Sequence, residues 1–342
     1  MIVGKILTVS NLNKIYSIVR NYKNIKFYSK EIKTKKEKTD FKVEKKKDGL
    51  IEIPTTPKEP AGARHMPTDI VLVRHGESEG NVYLRKSNHS FKETFINRPT
   101  SLWRLTKKGR EQANTTGDWI KKNISSQFYR YYTSEYLRAM ETAALFNIPN
   151  AHWLTATYLR ERDWGQFELL TNEERWERFR LEMMRRKRDS FYFAPPGGES
   201  MAQVLVRVDH VLSILHSECS HKKILIVSHG EVISAFMIRL EKISQIQYKE
   251  FCESHKTEPH RLLNYCQVVH YTRINPETKQ ISPNLKWVRS VCPWNIKKSD
   301  LNWREFGRTF YTNEKILEVV SKYPPLIDSE EDDLEDDLED DS

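Results

Sequence analysis

The stretch Ile70–Asn81, IVLVRHGESEGN, decides how this chain is read. Four apolar residues run directly into an arginine, a histidine and a glycine. A run apolar at successive positions fits a strand covered on both faces, the pattern of a parallel sheet sandwiched between helices. A cation and an imidazole at the end of such a strand need a reason. A second segment supplies it: Ile224–Val227, ILIV, is followed by Ser228-His229-Gly230. Open α/β sheets bind ligands beyond the carboxyl ends of their strands, and glycine lets backbone approach a ligand closely.

The remaining pattern alternates strand with helix. Strands are expected at Ile70–Val73, Phe128–Thr133, His152–Leu159, Ile224–Val227, Gln267–Ile274 and Lys286–Val291. Helical spacing of Leu105, Gly109, Ala113, Thr116 and Ile120 predicts a helix ending near Asn123. Ser134 is expected to cap a helix to about Phe146, with Leu137, Met140 and Ala144 inward. Capping boxes at Thr171–Glu174 and Ser200–Gln203 open two more. The first carries Trp176, Phe179 and Met183 on one side. The second carries the stripe Met201, Val204, Leu205, Val208, Val211, Leu212 and Leu215. A short helix is expected near Val232–Leu240. The expected fold is α/β, a three-layer α/β/α sandwich around a mostly parallel sheet, with disordered termini.

Charge marks the domain limits. Residues 1–65 carry 16 Lys/Arg and 7 Asp/Glu, with a lysine-rich tract and a proline-marked linker; they read as a basic, disordered arm. Residues 321–342 carry one Lys/Arg against 11 Asp/Glu and read as an acidic, self-repelling tail. The catalytic unit is placed at 66–320. It is itself net basic, with 39 Lys/Arg against 29 Asp/Glu, so it favours anionic partners. Nucleic acid is not supported beyond the charge of the arm, because no basic motif interleaved with aromatics is present. No apolar run reaches the roughly 18–20 residues of a membrane span. Cys219, Cys252, Cys266 and Cys292 are scattered and form no C-x-x-C, as expected of reduced thiols in a cytoplasmic protein. The first 30 residues lack Asp and Glu, as transit peptides do. Lysine there outnumbers arginine and serine is sparse, so a plain basic arm is the preferred reading.

Arg74, His75 and His229 converge if the two His-Gly strands are neighbours, and Arg138, near the start of a helix after a strand, can join them. Two guanidinium groups and two imidazoles about one point suit a phosphate dianion. A neutral imidazole can act as nucleophile, and Arg74 beside it would keep it unprotonated. The leaving oxygen then needs a proton. LRERDWGQFE offers Glu161, Asp163 and Glu168, and pattern does not choose among them.

These residues resemble the histidine phosphatase superfamily in its phosphoglycerate-mutase-like branch. The resemblance rests on RHGESEGN (74–81), LT-x-x-G (105–109), S-x-x-x-R-A-x-E-T-A (134–143), LRERDWG (159–165), GGES (197–200) and SHG (228–230), in the family's order. It implies that His75 is the nucleophile and becomes phosphohistidine. Arg74, Arg138 and His229 would hold the phosphoryl group, with Asn81 assisting. Glu161 would serve as acid and then base. No metal and no cofactor are implied. The expected partner is a phosphorylated small molecule. The mutase-type R-R-S-Y and triple proline are absent; the chain reads RRKRDSFYFAPPGGES, and a phosphatase is favoured over a mutase. Arg185, Arg186, Lys187 and Arg188 read more readily as a solvated helix face than as a substrate grip. Val82–Arg104 and Glu168–Pro196 are expected to form a substrate-selecting lid whose aromatics mostly pack.

Overall fold

In the computed structural model, successive residues of Ile70–Val73 point to opposite faces of a strand, and both faces are covered. Ile70 and Leu72 pack with Ile224, Ile226, Val204, Val208 and Phe236 on one side. Val71 and Val73 pack with Leu225, Val227, Ala113 and Ile120 on the other. Alternation across a pleated strand sends one apolar set into each layer. The structure describes residues 64–86, 92–254, 261, 263–308 and 310–326. The readings of the basic arm through residue 63 and of the tail beyond residue 326 lie outside the described residues.

The elements follow in order: β1 Asp69–Arg74, α1 Glu79–Lys86, α2 Lys92–Ile96, α3 Lys107–Asn123, β2 Arg130–Thr133, α4 Leu137–Leu145 and β3 Trp153–Thr155. Next are α5 Asn172–Arg178, α6 Arg180–Arg188, α7 Met201–Glu218, β4 Lys223–Ser228, α8 Gly230–Leu240 and α9 Gln245–Ser254. The chain closes with β5 Val268–Thr272, β6 Trp287–Val291, β7 Asp300–Glu305 and α10 Asn313–Val320. The described strands form one seven-stranded sheet ordered β3-β2-β4-β1-β5-β6-β7. The β3-β2-β4-β1 half is parallel. The β5, β6 and β7 additions are antiparallel. The sheet is thus mixed, with a parallel core and helices on both faces. No described helix is long and apolar enough to cross a membrane.

Register does the positioning. β1 and β4 are adjacent, and Arg74 lies opposite Ser228. The next residue of each strand is a histidine, so both imidazoles emerge at one level. β2 borders β4 on the other side, and the Ser134 N–H donates to the Val227 carbonyl at 3.0 Å.

Both capping boxes are formed. The stripe of α7 is buried save Leu212, which is partly buried. Three expectations shift. Ser134 does not cap α4; Tyr136 occupies that position without a side-chain cap bond, and Ser134 is drawn to His229 instead. The buried face of α4 is Arg138, Ala139, Thr142 and Ala143, while Met140 and Ala144 are exposed. The helix rotates because Thr142 Oγ1 accepts the Gly76 N–H at 3.0 Å and Arg138 reaches His75. The helix opened by Thr171 breaks at Phe179, leaving Trp176 exposed and Met183 buried. β7 was not foreseen. It is an edge strand with no fully buried residue, so it carries no apolar run to read.

Candidate functional site

The loop after β1 is held in place before any ligand arrives. Thr106 caps α3, its Oγ1 accepting the Gly109 N–H at 3.0 Å, and its backbone N–H donates to the Glu77 carbonyl at 2.9 Å. A Cβ at Gly109 would lie 2.0 Å from that Glu77 oxygen, and one at Gly76 would lie 2.5 Å from the Gly109 carbonyl oxygen. The two glycines therefore let the start of α3 press against the RHG loop, the physical content of LT-x-x-G. Glu141 secures the same edge by accepting two bonds from Arg104 and one from the Leu105 N–H.

His75 is 2 % exposed. Its Nδ1 lies 2.7 Å from the Gly76 carbonyl, an acceptor only, so Nδ1 carries the hydrogen and Nε2 presents a lone pair. Arg138 Nε donates to that Nε2 at 3.3 Å, and Arg138 Nη1 donates to the Thr100 carbonyl at 2.7 Å. The ring centroid of His229 stands 5.1 Å from that of His75. Burial, then the Arg138 and Arg74 guanidinium groups, hold His75 well below the ordinary histidine range. Burial, then Arg138, His75 and Arg74, do the same to His229. Both imidazoles are neutral at pH 7.

His229 is fully buried; its Nε2 lies 2.8 Å from Ser134 Oγ. Ser134 Oγ also accepts the Tyr136 N–H at 3.3 Å, so its own hydrogen suits donation to Nε2. That arrangement leaves the hydrogen on Nδ1, a buried atom with no protein partner. Arg74 donates through Nη1 to the Leu263 carbonyl at 2.5 Å, stacks on Tyr265, and has a buried Nε without a partner. Orphaned donors on His229 and Arg74 beside the Nε2 lone pair of His75 describe a place for an anion.

Of the three carboxyl candidates, Glu161 reaches the imidazoles. Its Oε2 lies 3.8 Å from His229 Nδ1, and Oε1 accepts the Arg162 N–H at 3.0 Å. Burial raises its pKa, the Glu231 charge adds to this, and Arg138 opposes it. Glu168 is also raised, by burial and then Asp163. Asp163 is exposed and accepts the Gly165 N–H at 2.8 Å, a turn role. Asn81 spends its Oδ1 on the Ser78 N–H and hydroxyl, at 3.1 and 2.9 Å, so only its amide nitrogen is left for a ligand.

Donor atoms of His75, Glu161 and His229 lie within 4.8 Å of one another, close enough to suggest a metal. Two guanidinium charges converge on the same point and disfavour a divalent cation there.

A sequence model of the histidine phosphatase superfamily, branch 1, matches residues 70–258. The chain belongs to this superfamily. Among curated relatives, the 2,3-bisphosphoglycerate-dependent phosphoglycerate mutase of Bartonella bacilliformis is 33 % identical over 188 residues, covering 51 % of this chain and 82 % of the relative. The enzyme of the same name from Parvibaculum lavamentivorans is 31 % identical over 191 residues, covering 53 % and 84 %. Among solved structures, the alpha-ribazole phosphatase of Shigella flexneri aligns with a TM-score of 0.48 and 21 % identity, covering 63 % of this chain and 96 % of that one.

In this member of the superfamily, several supporting residues carry little signal in the sequence. Glu199 of GGES accepts from Arg160 at 2.7 Å and from Arg207 at 3.1 and 3.2 Å, and takes the Asp163 N–H at 3.1 Å. The Glu199 carbonyl accepts Arg162 Nε at 2.8 Å. Glu199 thereby fastens the segment that carries Glu161. Ser134, Thr142, Arg162 and Glu199 all lie inside quoted motifs. Glu231 lies in none. Of the aromatics between the motifs, Tyr83 packs on Phe95 and Phe95 on Trp103, and Phe167, Met183 and Phe193 form a small core of their own.

Proposed function

We propose that this protein is a metal-independent phosphomonoester hydrolase that works through a phosphohistidine on small phosphorylated substrates. The carrying observation is the state of His75: buried, neutral, its Nδ1–H fixed by the Gly76 carbonyl and its Nε2 lone pair turned toward His229 and Arg138. Nε2 attacks phosphorus as the bond to the leaving oxygen breaks. Arg74, Arg138 and His229 Nδ1–H stabilise the phosphoryl oxygens, and the Asn81 amide nitrogen assists. Electrostatic groups fixed in advance stabilise charge in the transition state without reorganising.

Glu161 is the acid and base. Its raised pKa keeps a proton available for the leaving oxygen. As carboxylate it then takes a proton from water, whose oxygen attacks the phosphohistidine and releases inorganic phosphate. Two arginines beside the ring favour the neutral imidazole over imidazolium, so the nucleophile is ready at neutral pH.

A mutase is the second reading, favoured by the names of the curated relatives. It differs only in where the phosphoryl group goes next: back to a hydroxyl of the organic acid rather than to water. Arg186, partly buried beside Trp164, would then grip the substrate. The test is a screen of phosphorylated metabolites, 3-phosphoglycerate with its bisphosphate primer included, scored for free phosphate against isomer. Phosphate release with a chelator present supports the hydrolase. Isomer without phosphate release overturns it in favour of the mutase.

A further inference from the structure

Arg162 holds two carboxylates at once. Its backbone N–H donates to Glu161 Oε1 at 3.0 Å, and its Nη1 lies 3.4 Å from Glu231 Oε2. The guanidinium is itself immobilised. Nε donates to the Glu199 carbonyl, Nη2 donates to the Phe193 carbonyl at 3.0 Å, and the group stacks on Trp164. Its side chain is 5 % exposed, that of Glu231 35 % and that of Glu161 21 %. Glu231 is the second residue of α8, just beyond His229, whose ring approaches Glu161.

We propose that Glu231 is a positioning residue for Glu161: tied through Arg162 to the acid and placed two residues beyond His229 at the start of α8, its carboxylate favours the form of Glu161 that carries the proton. This rests on the role given to Glu161 above. Two neighbouring carboxyl groups resist ionising together. Of the two, Glu161 is the more buried and lies beside the imidazoles, so it is the one that keeps the proton. After burial, Glu231 is the largest influence raising Glu161.

The other charged groups around Glu161 come from every layer. Arg138 on α4 and Arg74 on β1 lower it, and Arg207 on α7 lies close enough to couple. Glu168 lies on the lid side, close enough to couple with it, and His75 and His229 face it in neutral form. Those groups oppose Glu231 more than they reinforce it, so its removal is readable. Glu231 contacts solvent and donates to nothing, so the amide variant keeps shape while losing charge.

The experiment compares Glu231→Gln and Glu231→Asp with the parent full-length protein. Carbon-13 NMR of labelled glutamate, with the Glu161 signal assigned by its loss in Glu161→Gln, follows the titration directly. The expected result is a midpoint lower by at least about half a pH unit in Glu231→Gln and largely restored in Glu231→Asp. Turnover of an alkyl phosphate should lose its rate at correspondingly lower pH on the alkaline side, while an aryl phosphate with a good leaving group keeps its profile. A Glu161 midpoint unmoved in a folded Glu231→Gln overturns the proposal. If the parent protein turns over no phosphomonoester, the hydrolase reading fails instead, and the titration still judges Glu231.

Discussion

In the mechanism proposed here the nucleophilic imidazole must stay uncharged among cations, and burial with two neighbouring arginines favours that form of His75. His75→Ala should abolish both turnover and acid-labile phosphate on the protein; phosphate incorporation by that variant would remove the assignment. Glu161→Gln should slow poor leaving groups by about 10²–10⁴-fold, the usual worth of a positioned proton donor, and good leaving groups far less. Equal losses for both would move the acid role to Glu168, whose pKa is also raised. Asp163 is a poor substitute, since it is exposed and already engaged with the Gly165 N–H.

Elements contribute by fixing where these residues stand. The register of β1 on β4 levels His75 with His229, and the packing of α3 on the RHG loop stops that loop from moving. Gly109→Ala places a methyl group about 2.0 Å from the Glu77 carbonyl oxygen, a distance real atoms do not tolerate. The variant should lose most activity and several degrees of Tm together, measured by thermal melt and by turnover of an aryl phosphate. A normal melt with normal turnover would show that the loop has room the packing denies. The capping bonds of Ser200 run to Gln203 within its own box, and Ser200→Ala should cost about 1 kcal/mol of stability. Its effect on turnover should stay small so long as Glu199 keeps Arg160 and Arg207.

The whole molecule responds to pH through the same buried groups. His75 and His229 have folded pKa values well below the unfolded value. Below about pH 6.5 the unfolded chain therefore binds protons that the folded chain refuses, and stability falls as pH falls from there. Glu161 acts oppositely: its folded pKa is raised, so its contribution is present at low pH and is lost as pH rises through that value. Buried His270 is lowered as well and Glu168 is raised like Glu161; with three imidazoles against two carboxyls, Tm should drop between pH 7 and pH 5, and His229→Gln should flatten the slope. A bound phosphate mimic such as vanadate should raise Tm by mass action. The site proposed here is built from described residues alone; deleting residues 1–63 and 327–342 should leave turnover of an aryl phosphate unchanged, and a large loss would bring the ends of the chain into the function.

Much of this was legible from residues alone. Two buried strands ending in His-Gly announced the sheet and three of the convergent side chains, Arg74, His75 and His229, because apolar runs and glycine have meanings that depend only on local chain geometry; Arg138 came from the helix after β2. Both capping boxes were legible for the same reason. What sequence left open was set by contacts across the fold. Glu161, Asp163 and Glu168 lie within eight residues of one another and look alike in the chain; only the Arg162 N–H and the His229 ring distinguish the first. Ser134 reads as a helix cap but serves His229, and α4 turns Arg138 inward because Thr142 bonds the Gly76 N–H. Glu231 carries no motif at all. Local pattern determines elements and the strand ends where chemistry can sit; burial, charge neighbours and proton placement depend on atoms brought together from distant positions, and those the tertiary structure alone decided.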